Sequence, residues 1–158
     1  MRDYGTSILW QLRSTEWSNS QGLEKHEIKG KHRKQMVEWM RDVLEVFKSP
    51  VEVLYKAVTI MDHYFDQKQG SLRIEELHEV GIASILLASK YTELEPLSVE
   101  LMHKKASHGK ISEKAIRDWE RDILNTVNFE LAAPSFYDFL ENYLETLIHK
   151  FSELKDQW

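Results

Sequence analysis

Between Val80 and Ser89 the chain reads Val-Gly-Ile-Ala-Ser-Ile-Leu-Leu-Ala-Ser, without a single charge. Wound into a helix, this run is apolar or small on every face, and such a helix is stable only where neighbours surround it. It stops at Lys90, well short of the roughly 20 residues that cross a bilayer. Gly81, Ala83, Ser84, Ala88 and Ser89 leave room for those neighbours to come close. With only three prolines and six glycines, the chain has few of the turns that an all-β fold needs. The run therefore predicts an all-α protein with helices gathered around one central helix, here spanning about Ile74 to Glu93.

Apolar spacing near three and four residues marks the other helices. A first one covers Asp3 to Trp17, with Tyr4, Ile8 and Leu12 on one face. A polar stretch, Ser18 to Lys31, leads to a helix from His32 to Phe47 that carries Met36, Trp39, Met40, Val43 and Phe47. Ser49-Pro50-Val51-Glu52 has the order of a capping box with proline at the first helical position, which predicts a helix from there to about Phe65. Pro96 interrupts the chain, a short helix follows over Ser98 to Ala106, and Ser107-His108-Gly109 makes a turn. Further helices are expected from Ser112 to Asn128 and from Pro134-Ser135 onward, the latter with Ser135 and Asp138 in capping positions.

No catalytic constellation emerges. The glycines fit neither a phosphate-binding loop nor a dinucleotide fingerprint. His78-Glu79 begins like a zinc-protease motif but lacks the second histidine, and His103 and His108 are not at helical i, i+4 spacing. Cysteine is absent, which excludes disulfides and thiolate chemistry. We expect no cofactor, no metal and no enzymatic activity. A formal charge of -5 disfavours nucleic acid and anionic membranes as partners. Lys25, Lys29, Lys31, Arg33 and Lys34 are interrupted by Glu24 and Glu27 and read as a solvated loop. Met1 to Trp10 lacks the apolar centre of a signal peptide, so a cytoplasmic or nuclear protein is expected.

Four segments, in order, carry a resemblance to a known family. His32-Arg33-Lys34-Gln35-Met36-Val37-Glu38-Trp39 is similar to the cyclin pattern Met-Arg-x-Ile-Leu-x-Asp-Trp. Ala57-Val58 through Asp62-His63-Tyr64-Phe65 resembles the helix that follows it. Leu86-Leu87-Ala88-Ser89-Lys90-Tyr91 looks like the signature of the central helix, and Asn128-Phe129 through Pro134-Ser135 like the segment closing a first cyclin box. The resemblance, closest to the A and B types, implies a bundle of five helices around a central helix with flanking helices at both ends. It implies an N-terminal helix and linker over residues 1–30, a cyclin box over 31–131, and at 132–158 the first helix of an unfinished second box.

The resemblance also implies roles. Arg33 and Asp62 match an ion pair that locks two helices of the box. Lys90 and Glu120 match residues that hydrogen-bond the main chain around the mobile C helix of a cyclin-dependent protein kinase. An ammonium donates and a carboxylate accepts, so the two together fix a partner segment in one register. Met36, Trp39, Leu77 and His78 match a patch that docks short substrate motifs. It is degenerate here, because His32 and Gln35 replace apolar residues. The function implied is that of a cyclin, a regulatory subunit that activates a kinase without doing chemistry. A cyclin-fold scaffold in a larger assembly, with no kinase to activate, is the other reading.

The last helix adds a feature that the spacing itself reveals. Phe139, Leu140, Tyr143, Leu144, Leu147, Ile148, Phe151 and Leu154 form a wide apolar stripe. Such a stripe is costly to leave in water, so it is expected to face another protein chain or to fold back over the box.

Overall fold

The computed structural model describes residues 4–16 and 22–155. It contains α-helices α1 (Tyr4–Thr15), α2 (Gly30–Phe47), α3 (Val51–Gln67), α4 (Leu77–Thr92), α5 (Val99–Leu101), α6 (Glu113–Thr126) and α7 (Phe136–Lys155). No strand occurs among the described residues. They divide into two compact units, one of α1 with residues 132–155 and the other of residues 22–131.

In the larger unit α4 is the hub. Every residue from Val80 to Ser89 is buried. Around it pack α2, α3, α6, the 3-10 turn Ile74–Glu76 and the π-turn Met102–Ala106. One core results, with Met40, Ile60, Met61, Phe65, Ile82, Ile85, Leu86, Met102, Ile116 and Ile123 all but inaccessible to water. At Gly81 the Met36 side chain of α2 occupies the space beside the backbone, and a Cβ there would lie 2.4 Å from its sulfur, so any larger residue would make that side chain shift.

The helix ends follow local chemistry. Ser98 and Ser112 accept hydrogen bonds from the backbone N–H groups of Leu101 and Ala115, both at 3.1 Å, and so cap α5 and α6. At the start of α7 both the N–H and the hydroxyl of Ser135 donate to the Asp138 carboxylate at 2.6 Å.

The expected capping box at Ser49–Glu52 does not form. Lys48 adopts a left-handed conformation (φ 56°), and its N–H and that of Ser49 return to the carbonyls of Glu45 and Leu44. That closure commits Ser49 to ending α2. Pro50 then precedes α3 in an extended conformation (ψ 146°), and the buried Ser49 hydroxyl makes no hydrogen bond.

The stretch read as a solvated loop is structured where it is described. Gly22–Lys25 forms a 3-10 turn and Ile28 is fully buried. His26 is buried as well, with Nε2 2.7 Å from the Phe65 carbonyl and Nδ1 accepting from Leu72 N–H at 3.1 Å. This histidine ties the segment to the end of α3 and to the loop beyond it.

Candidate protein-interaction site

Lys90 sits in the last turn of α4 and Glu120 near the middle of α6, and packing of these two helices brings the pair into contact. The ammonium donates to one carboxylate oxygen of Glu120. The lysine side chain is 43% exposed and the glutamate 14%, so the pair lies at the surface with the acid recessed. Ser89, one residue before Lys90, is buried; its hydroxyl donates to Glu93 and accepts from Leu97 N–H, which folds the chain sharply after α4.

Beside the pair, Lys56 of α3 is buried except for 6% of its surface. Its ammonium donates to the Leu131 carbonyl at 3.3 Å and lies 4.8 Å from the centre of the Tyr91 ring. The first half of α3, the end of α4 and the segment after α6 thus converge. Around this junction Tyr91 and Phe129 are 50% and 67% exposed. Asn128 and Phe129 both have positive φ (51° and 59°), an arrangement held by Phe129 N–H on the Leu124 carbonyl at 2.8 Å. Left-handed backbone at a phenylalanine is strained by about 1–2 kcal/mol, and here that strain displays an aromatic ring to solvent. Helical spacing points to neither Tyr91 nor Phe129, because each lies at a helix end where periodicity lapses.

Arg33 and Asp62 meet across α2 and α3 in a two-point contact, Nε on Oδ1 at 2.7 Å and Nη2 on Oδ2 at 2.6 Å. The hydrogen bond from the guanidinium to Asp62 outweighs its partial burial and raises the arginine pKa further.

Met36, Trp39, Leu77 and His78 line one groove of about 270 Å³, together with His32, Gln35 and Ile74. His78 packs edge-on against Trp39 with ring centres 4.4 Å apart. Burial lowers its pKa. His32 Nδ1 accepts from Lys29 N–H at 3.1 Å, which makes Nε2 the protonated nitrogen of the neutral ring.

On α7, Leu140, Tyr143, Leu147 and Phe151 are exposed at 38–66%, with Phe139 half-buried. Among the described residues no group of three or more histidine or acidic side chains is placed to hold a metal. His103, considered above beside His108, has Nδ1 2.7 Å from the Ile111 carbonyl and braces the turn after α5. No helix among the described residues is long and apolar enough to cross a membrane.

Comparison with known proteins identifies the arrangement. Residues 7–132 match the family model "Cyclin, N-terminal domain". The chain belongs to the cyclin family. Cyclin-B1-1 of Arabidopsis thaliana is 32% identical over 81% of this chain and 31% of that protein. Human G1/S-specific cyclin-D3 is 34% identical over 77% of this chain and 40% of its own length. The chain thus spans well under half the length of these two relatives. Its fold is shared with a viral cyclin from herpesvirus saimiri, at a TM-score of 0.73 and 21% identity, over 82% of this chain and 55% of that one. The matched residues run from α1 past the end of α6, and within them Lys90 and Glu120 meet where α4 and α6 pack.

Proposed function

We propose that this chain is a non-catalytic regulatory subunit that binds and activates a cyclin-dependent protein kinase in the cytoplasm or nucleus, using no cofactor. The observation that carries the reading is the surface pair Lys90–Glu120, flanked by exposed Tyr91 and Phe129. Each member of the pair keeps hydrogen-bonding capacity. An ammonium has three protons and a carboxylate about four acceptor positions, and their mutual contact uses one of each. The remainder suits the main-chain carbonyl and N–H groups around a kinase C helix, while the two aromatic rings supply apolar contact.

Activation follows as a population shift. A kinase whose C helix samples several positions is drawn to the active one by a partner that binds only that arrangement. The box contributes binding energy and no reacting group. Arg33–Asp62 acts as the lock between α2 and α3, the groove at Trp39 and His78 as a weakened substrate-docking patch, and the α7 stripe as a surface for another chain.

Affinity capture with cyclin-dependent kinases, followed by calorimetry, tests the central claim. Hydrogen bonds involving a charged group contribute about 1.5–3 kcal/mol each. Lys90→Ala and Glu120→Ala should therefore each weaken the complex roughly tenfold or more, with the far-UV spectrum of the free protein unchanged. Unaltered affinity in both variants, or no kinase bound at all, would favour a scaffold role.

A further inference from the structure

One row of α3 grips α6 and the turn after it, on which Glu120 and Phe129 are mounted. Lys56, Ile60, Tyr64 and Lys68 recur every four residues, so they lie along one face of α3 and its C-cap. At one end of the row Lys56 donates to the Leu131 carbonyl beyond α6. Toward the other end, Asp122 of α6 accepts twice on a single carboxylate oxygen, Oδ2. Its donors are the Tyr64 hydroxyl at 2.5 Å and the Lys68 ammonium at 2.6 Å. Tyr64 is fully buried, and the Lys68 ammonium lies 5.4 Å from the centre of its ring. Burial, with Asp122 beside it, pushes the tyrosine hydroxyl far above its ordinary range, so at neutral pH it is always a donor.

Asp122 and Glu120 are two residues apart on α6, which turns them about 200° from each other. Glu120 meets α4 through Lys90, while Asp122 meets α3. The face between them is apolar, with Ile116 and Ile123 inaccessible to water. Apolar burial is non-directional, so by itself it sets the rotation of a helix about its own axis only loosely. Hydrogen bonds are directional. A carboxylate held on each flank therefore fixes that rotation, and with it the direction in which Glu120 faces.

We propose that Tyr64, Lys68 and Asp122 are positioning residues for the Lys90–Glu120 pair, holding α6 so that Glu120 stays in register with Lys90 and open to the kinase. This rests on the reading of that pair as the kinase contact. Tyr64, being buried, acts without touching the partner.

A double-mutant cycle on kinase affinity tests the assignment. Tyr64→Phe keeps the ring and removes the hydroxyl, and it should weaken binding by about threefold or more. Asp122→Ala should match it, and Asp122→Asn, whose carbonyl still accepts from Tyr64, should lose less. In a Glu120→Ala background the loss from Tyr64→Phe should vanish, because the residue being positioned is gone. A merely structural role would give the same loss in both backgrounds. That result, or full affinity in Tyr64→Phe, would overturn the proposal. A second measurement needs no kinase. In the free chain, the NMR signal of the Lys90 ammonium should move in Tyr64→Phe toward its position in Glu120→Ala. An unmoved signal would overturn the positioning role. A moved signal in a chain that binds no kinase would uphold the positioning of the pair and overturn only the kinase reading.

Discussion

Arg33 on α2 and Asp62 on α3 share two hydrogen bonds, at 2.7 and 2.6 Å, and their side chains retain 34% and 23% of their accessible surface. This places the pair between two regimes. Fully exposed ion pairs contribute about 0–1 kcal/mol, and removing one partner of a fully buried pair costs about 3–5 kcal/mol. Asp62→Ala is expected to lower the unfolding free energy in urea by about 1–3 kcal/mol. Arg33→Lys should recover little of the wild-type stability, because an ammonium cannot make the two-point contact. A loss below about 0.5 kcal/mol in Asp62→Ala would show that the pair does not lock the helices.

The left-handed backbone at Phe129 (φ 59°) separates two roles of one residue. Phe129→Ala keeps the strained conformation, whereas Phe129→Gly relieves it at no steric cost. The glycine variant should be the more stable of the two by about 1 kcal/mol in denaturant melts. Both should bind kinase more weakly than the native chain, since each lacks the exposed ring. Equal stabilities would mean that the turn relaxes once the phenyl group is gone.

Stability should also depend on pH through His63 and His78, whose pKa values are lowered from 6.5, chiefly by burial. Around His63, Asp66 and Glu130 oppose that shift; around His78, Glu79 opposes it, while Lys110 and His108 add to it. Below pH 6.5 the unfolded chain binds protons that the folded chain resists, so acid favours unfolding. The melting temperature should be highest above the unfolded histidine value and fall as the pH drops below it. Scanning calorimetry on the native chain and on His63→Gln with His78→Phe checks this, with a flatter profile expected for the double variant. Identical profiles would assign the pH dependence to other groups.

In the groove, His32 and Gln35 place polar groups beside Trp39 and Leu77. Peptides with an Arg-x-Leu core should bind weakly, and His32→Met with Gln35→Ile should strengthen them by burying more apolar surface. Fluorescence anisotropy with a labelled peptide measures the difference. Tight binding by the native chain would mean that the polar substitutions do not weaken the patch.

Helix content and the central place of α4 were legible before any coordinates, because both follow from local properties. An uncharged run such as Val80–Ser89 has only one stable setting in a soluble fold. The Ser135–Asp138 contact at the start of α7 was legible for the same reason. Ser49–Glu52 had an equally good local signal and failed, since the close of α2 competed for the same residue. His26 and Ile28 gave no periodic signal because their segment is too short and irregular to repeat. Their burial comes from the ends of α3 and the following loop, both distant in sequence.

The sequence by itself determined which segments wind into helices, which face of each is apolar, and that one helix must lie inside the others. Tertiary structure alone decided that Lys90 meets Glu120, 30 residues away, that His78 stands edge-on to Trp39, and that Lys56 is buried beneath Tyr91. Periodicity is a property of neighbouring residues and survives in one dimension. Contacts of this second kind depend on where helices cross, and crossing geometry is set by side-chain packing between segments that the sequence keeps apart.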